Sequence, residues 1–524
     1  AVVRVFDREL PRWASPIAGW SRPWLASVVL LGTSFVCENL LAEAGRGKKL
    51  AYLGALVLVC AALSLLHERW ARAQGTFAAG LSYALTPLVC LLALGSYELC
   101  RQSVLRAPRA ETNEPAVGPN VVLIVMDTVR ADHVSSYGYA QPTTPVLDAL
   151  AKQSLLFEHS FATSNMTLST HASLLTGQWV RQHGARYAPE PRPLPEGHTT
   201  LAETLREHGY RSAAVVSNFG YLGREWGLQR GFDYYDDRTA EPLLGECNVL
   251  SLRALLRERA AGFVERRARE AVYRDAAEIR RDVSHALDAV TGGDHPAPVF
   301  LFVNFMDAHS PYLPPAPYDT KFPGKLPKFD SDDENDLERE VMQGTRHVSE
   351  RERAHVLSQY DGGLAYLDHE LGALFDELKQ RKLWDDTLLV VTGDHGEAFG
   401  ERDIFGHGSS LYDDQIRVPL IVHAPHMKEG ARKPELTSSV DFVPTVLAAA
   451  ELPARPTLPG RDLLSAPTGG RVIFSEGYPN PYLISWNERW RSPLYGAIAW
   501  PYKLIVPEKG QPEAYDLHVD PAEV

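Results

Sequence analysis

Four nearly uninterrupted apolar runs, Asn120–Met126, residues 212–217, Val299–Phe305 and residues 387–392, constrain this chain more than any other feature. A strand with one wet face alternates apolar and polar residues. A run that is apolar almost throughout belongs to a strand covered on both faces, as in a mostly parallel sheet. Helical patterns lie between the runs, at residues 145–154, 200–208 and 349–382. The alternation predicts an α/β fold with a central, mostly parallel sheet flanked by helices. Beyond about residue 470 the pattern breaks into short strand-like pieces, including 494–500 and 502–506, which predicts a small antiparallel C-terminal subdomain.

Ligands of such sheets gather at the carboxyl ends of the strands. Here the first run is followed by Asp127, the third by Asp307 and His309, and the fourth by Asp394 and His395. A lone Asp after a strand is an ordinary turn residue. Three such endings together point to one edge supplied with carboxylates and imidazoles.

The segment Thr167-Leu-Ser-Thr-His171, leading into Ala-Ser-Leu-Leu-Thr-Gly177, reads as a helix start rich in hydroxyls. Such a start caps its own helix in the simplest case, and its free amides favour an anion. Beside a metal, one of its hydroxyls becomes a nucleophile toward phosphorus or sulfur. Asp127, Asp394 and His395 supply two carboxylates and an imidazole, and the Thr167 oxygen completes a set of four ligands. His309 and His407 are candidates for protonating a leaving alkoxide, a task suited to imidazole near neutral pH. His133, His159 and His183 read as structural residues.

Charge and hydropathy divide the chain. Residues 50–66 and 77–97 carry no charge, and 24–44 are interrupted by Glu38 and Glu43. Lengths of this order match a hydrocarbon core of roughly 30 Å, predicting two or three transmembrane helices within residues 1–110. A catalytic region at 111–470 and a subdomain at 471–524 then follow. Basic residues on the two sides of these spans balance, so orientation is undecided by charge. Residues 1–110 have net charge +6, leaving −19 for the rest, which argues against nucleic acid as a partner. Cys247 is the one cysteine beyond residue 110, so the soluble part is expected to hold no internal disulfide. Charge-dense helices are expected over 241–295, and a mobile acidic loop at 330–336.

The ordered motifs Asn120–Tyr139, Thr143-Thr-Pro-Val-Leu-Asp148, Leu-Leu-Thr-Gly177 with His183-Gly184, Asp307-Ala-His-Ser-Pro-Tyr312, Thr392-Gly-Asp-His-Gly-Glu397, His407-Gly408, Arg417-Val-Pro-Leu420 and Asp441-Phe-Val-Pro-Thr445 resemble sulfatases of the alkaline phosphatase superfamily. The ending, Tyr502-Lys-Leu-Ile505 and Tyr515-Asp-Leu517, is similar to that family's C-terminal subdomain and stops just inside its usual end. The resemblance implies that Asp127, Asp394 and His395 hold a metal with Thr167, that Thr167 is the nucleophile, and that His171, His309 and His407 contact substrate.

Departures from the family pattern are equally informative. Thr167, Ser169 and His171 stand where the family carries Cys or Ser, Pro and Arg, so formylglycine is not expected. Thr128 replaces a second acid, and His395 stands where Asn is common. One carboxylate fewer and one imidazole more shift preference from Ca²⁺ toward Mn²⁺ or Zn²⁺. The threonine and the Asp-His pair resemble membrane-anchored phosphotransferring members, although those carry Glu at the position of Asp127. The expectation is a metal-dependent hydrolase or transferase of phosphate esters. Its setting would be a bacterial inner membrane, with the catalytic domain on the periplasmic side and an envelope or lipid-linked substrate. The alternatives are a sulfuric ester hydrolase with unmodified Thr167, a two-metal site adding Asp307, His309 and His407, and a non-catalytic binding protein.

Overall fold

In the computed structural model, residues 118–238, 273–291, 297–465 and 469–524 are described. The expected membrane region at 1–110 lies outside them, as does most of 241–295. Among the described residues no helix is long and apolar enough to cross a membrane.

The apolar runs become β1 (Asn120–Met126), β3 (Arg211–Val216), β5 (Val299–Phe305) and β6 (Thr387–Gly393). With β2 (Leu155–Phe161), β4 (Tyr234–Asp236), β9 (Leu420–His423) and β10 (Ala431–Ser438) they form one sheet, in the order β10-β2-β9-β6-β1-β5-β3-β4. β7 (Ala398–Phe399) and β8 (Phe405–Gly406) make a separate short hairpin. Every pairing in the large sheet is parallel except those of β9, which opposes both β2 and β6. Central position explains the composition. Both faces of β1 are covered, and Val121, Leu123, Ile124, Val125 and Met126 have no exposed surface.

Helices cover the faces. The apolar stripe of Thr167–Thr176, Leu168, Ala172 and Leu175, shares one core cluster with Leu123 and Val125 of β1 and with Val443, Val446 and Leu447 of helix Phe442–Ala449. The long helix Glu350–Gln380 starts at a capping box between Ser349 and Glu352. Its Gly363 permits a close approach, since a Cβ there would lie 2.1 Å from the carbonyl oxygen of Asp307. The helix therefore presses directly on the turn that carries His309.

Residues 330–336 are not a mobile loop. Asp330 caps helix Ser331–Gln343 by accepting from the amides of Asp332 and Asp333, and Ser331, Glu334, Leu337 and Val341 form its buried face. Acids at a helix start are favoured by the free amides and the dipole, so the charge belonged to a cap.

The C-terminal residues form an antiparallel sheet of β11 (Ile473–Gly477), β12 (Leu494–Ala499), β13 (Tyr502–Pro507) and β14 (Glu513–Asp516). Ile473, Ile498 and Ile505 pack against Phe161, Leu411, Ile416 and Val418 of the main domain. Lys503, 1% exposed, joins the two parts through Asp413 of the main domain at 2.8 Å, and Glu523 of its own subdomain lies 2.6 Å from it.

Candidate active site

Because β6, β1, β5 and β3 are consecutive and parallel, their carboxyl ends open on one edge. The chain leaves them at Asp127, Asn218, Asp307 to His309, and Asp394 with His395. Asp127 Oδ2 accepts from Asn218 Nδ2 at 2.9 Å and from Asn304 Nδ2 at 3.4 Å, while its Oδ1 is buried without a partner. Asp394 Oδ1 accepts from the amides of Thr128 (3.1 Å) and His395 (2.8 Å), and its Oδ2 is likewise buried and unpartnered. Thr128 makes this turn at φ 56°, strained for a β-branched residue. Its hydroxyl lies on the carbonyls of Asp127 and Ala308, at 2.8 and 2.9 Å.

His395 Nδ1 donates to the carbonyl of Gly396 at 3.0 Å. That bond fixes the tautomer and leaves a lone pair on Nε2. Nε2 is 3.4 Å from Asp394 Oδ2 and 3.2 Å from Thr167 Oγ1. Ligand atoms of Asp127, Asp394 and His395 lie within 4.8 Å of one another. Burial and the neighbouring charge of Asp127 push the Asp394 carboxyl well above its usual range, while burial and the nearby His407 push His395 down to about 3. Two buried carboxylates, each with an orphaned oxygen, beside a neutral imidazole lone pair form an unfavourable arrangement unless a cation joins them. The donor set fits one divalent ion.

Thr167 begins its helix after the extended Met166, and no side chain caps the end. The first amides are thus left for an anion. The hydroxyls of the segment divide cleanly. Ser169 donates to Ala185 O, Thr170 to Ser164 O, Thr176 to Ala172 O, and Ser173 pairs with His183. Thr167 Oγ1 instead faces His395 and, at 3.5 Å, Asn218 Nδ2. Its partners are His395 of the cluster and Asn218, which itself donates to Asp127. His171 lies one turn further on, fully buried, with Nδ1 donating to Thr167 O at 2.8 Å and Nε2 unpartnered.

The remaining imidazoles flank this centre. The ring of His407 is 4.7 Å from that of His395 and 5.1 Å from that of His309. His407 Nδ1 is bound to Glu397 Oε1 at 2.9 Å, and Glu397 Oε2 accepts from the Tyr312 hydroxyl at 2.5 Å. Burial opposes a charge on His407, but Glu397 outweighs it and raises the pKa above the usual imidazole value. His309 Nδ1 donates to Ser310 O. Asp307 lies apart from the ligand cluster and accepts from the amide of Ala276 at 3.1 Å, at the start of helix Ala276–Thr291.

Asn218 and Glu397 escaped sequence reasoning as site residues. Asn218 had a usable signal, for it stands at the end of the apolar run 212–217 as Asp127 does at the end of its own. Asn304 Oδ1 accepts from the Asn218 amide and Asn218 Oδ1 accepts from Tyr221 N, which turns Nδ2 toward Asp127 and Thr167. His133, paired with Asp361 at 2.8 Å, and His183 are tied into the scaffold, and His159 stacks on Trp500.

Residues 119–452 match the family model described as Sulfatase. This chain belongs to the sulfatase family, within the alkaline phosphatase superfamily. It is 26% identical over 398 residues to the multifunctional alkaline phosphatase superfamily protein PehA of Trinickia caryophylli, spanning 63% of this chain and 73% of that protein. It is 21% identical over 457 residues to an arylsulfatase of Clostridium perfringens, spanning 78% and 89%. Among solved structures it shares the fold of the phosphonate monoester hydrolase of Agrobacterium radiobacter. The TM-score is 0.58 with 23% identity, covering 77% of this chain and 90% of that one.

Proposed function

We propose that this chain hydrolyses phosphate or phosphonate esters with Thr167 as the nucleophile. The observation that carries the reading is the isolation of the Thr167 hydroxyl. Alone among the hydroxyls of its helix, it faces the bare Nε2 of His395 and the Asp127–Asp394 cradle. A divalent cation held by Asp127, Asp394 and His395 would lower the pKa of that hydroxyl and offset the charge of the transferring group. With its proton released to solvent on ionisation, Thr167 Oγ1 then attacks phosphorus as the alkoxide, the P–O bond to the leaving group breaks, and the departing alkoxide takes a proton from His407 or His309. Water attacks the phosphothreonine, its proton returns to the imidazole, and Thr167 is released with inorganic phosphate or phosphonate. Asn218 Nδ2 orients the nucleophile throughout.

A threonine has no second hydroxyl with which to expel a bound group, so the intermediate must be resolved by attack at its central atom, which favours phosphorus. Sulfate ester hydrolysis is the second reading, supported by relatives named arylsulfatase and choline-sulfatase. Assays with p-nitrophenyl phosphate, phenylphosphonate and sulfate separate the two. Thr167→Ala is expected to lose about 10³-fold or more in kcat, as for removal of a nucleophile. Mass spectrometry should find a phosphoryl group on the peptide holding Thr167 in trapped wild type. Chelation should abolish turnover, and Mn²⁺ or Zn²⁺ should restore it better than Ca²⁺. Full activity of Thr167→Ala would sink the reading.

A further inference from the structure

His309 stands where the chain has left β5, and from there it follows neither helix nor strand until Tyr318. Up to His309 the backbone is held by the main domain. Asp307 O presses on Gly363 of helix Glu350–Gln380, Ala308 O accepts from the Thr128 hydroxyl at 2.9 Å, and the His309 amide donates to Met306 O at 3.0 Å. Beyond His309 there is no ladder from which to inherit a position, so side chains must supply it.

Glu334 is one of them. It lies on the buried face of helix Ser331–Gln343 and is 6% exposed. Its two oxygens meet two groups of one short segment. Oε1 accepts from the Ser310 hydroxyl at 2.5 Å, and Oε2 from the Tyr312 amide at 3.4 Å. The carbonyl of the same Ser310 accepts from His309 Nδ1 at 2.5 Å, so the residue that Glu334 holds is the residue that orients the imidazole. The Tyr273 hydroxyl donates to Pro311 O at 3.2 Å and steadies the segment from a different element.

Volume alone is a poor account of an acid in this place. Burial pushes the Glu334 carboxyl up to about 8, and the neighbouring Glu397 and Glu338 act in the same direction. An apolar side chain would fill the space without that cost. A protonated carboxyl still offers one donor and one acceptor, which match a hydroxyl and an amide. What the acid adds is a hold at two points.

We propose that Glu334 is a positioning residue for proton transfer by His309, clamping Ser310 and Tyr312 so that the Ser310 carbonyl fixes the ring. With Nδ1 committed to that carbonyl, the proton given to the departing oxygen comes from Nε2, and a neutral imidazole is left behind. The inference rests on the hydrolase reading above for the reaction that His309 serves, although the hold on the ring does not depend on it.

Kinetics of the full chain and NMR of its histidines test this together. Glu334→Leu keeps the volume and loses both contacts, so kcat for butyl phosphate should fall about 10²-fold, as for loss of a general acid. For p-nitrophenyl phosphate, whose leaving group needs no proton, kcat should change little, and KM should hold for both esters. Glu334→Gln, with its amide N–H toward Ser310 and its carbonyl toward Tyr312, should restore most of the rate. Ser310→Ala removes half of the hold and leaves the helix untouched. It should lower kcat for butyl phosphate about three- to tenfold, the loss of one hydrogen bond, and add nothing to Glu334→Leu. Should Glu334→Leu fail to fold, Ser310→Ala carries the same contrast between the two esters. Equal losses on both esters, no rescue by Gln, or additive losses overturn the proposal. In protein with ¹³C-labelled histidine, Glu334→Leu should shift the His309 ring signal and leave those of His133 and His183 in place. An unmoved His309 signal, or an equal shift of all three, overturns the proposal. A His309 signal that moves in a protein whose ester turnover survives Thr167→Ala would instead overturn the hydrolase reading and leave the clamp standing.

Discussion

Glu397 shows how one side chain sets the behaviour of another. Its carboxylate bridges the Tyr312 hydroxyl and His407 Nδ1, so it fixes the ring and favours its protonated form. In Glu397→Gln the orientation is partly retained while the charge is lost. Esters with poor leaving groups depend on the proton that His407 supplies, and their kcat should fall about 10²-fold or more, the usual contribution of a general acid. Activated p-nitrophenyl esters should lose little. The sign of the pH effect follows from the shift. Glu397 raises the His407 pKa, so the alkaline limb for poor leaving groups should move to lower pH in the variant. A uniform loss across leaving groups would assign Glu397 a purely structural role.

At the scale of elements, the sequence was most readable where both faces of a strand are covered. β1, β5 and β6 are apolar almost throughout because nearly every position is buried, and the acids and imidazoles that follow them stand out by contrast. β10 was unreadable for the opposite reason. It is an edge strand with a largely exposed N-terminal half, it contains Pro434, and it shows no alternation. The helix at 331–343 was misread because its charge was weighed before its period, although Ser331, Glu334, Leu337 and Val341 recur at helical spacing. Asn218 and Glu397 belong to a third kind, where the role exists only once distant segments meet.

The acidic helix also carries a pH dependence. Burial pushes Glu334 up to about 8 from an ordinary 4.5, against the hydrogen bonds it accepts from Ser310 and Tyr312. The native fold therefore prefers the protonated acid. Its contribution is fully present below about 4.5 and is lost as the pH rises through about 8. Glu334→Gln removes the titration. The urea midpoint of this variant should gain on wild type as the pH is raised from acid to mildly alkaline, and a constant difference would count against the assignment.

At the scale of the whole described region, the C-terminal sheet is attached by an apolar seam and by the buried Lys503. Lys503→Met would leave Asp413 and Glu523 facing each other without a cation. Removing one partner of a buried pair costs about 3–5 kcal/mol, a loss that urea denaturation should reveal.

The strand order has a kinetic consequence. β1 pairs with β5 and β6, whose residues lie some 180 and 265 positions further along the chain. Asp127 cannot meet Asp394 until those distant partners have closed on it, so no early, locally folded fragment can possess the catalytic cluster. Regain of activity during refolding thus reports on the long-range pairing of β1 with β6, and a nascent chain that has emerged only through Thr167 holds its nucleophile with nothing to activate it.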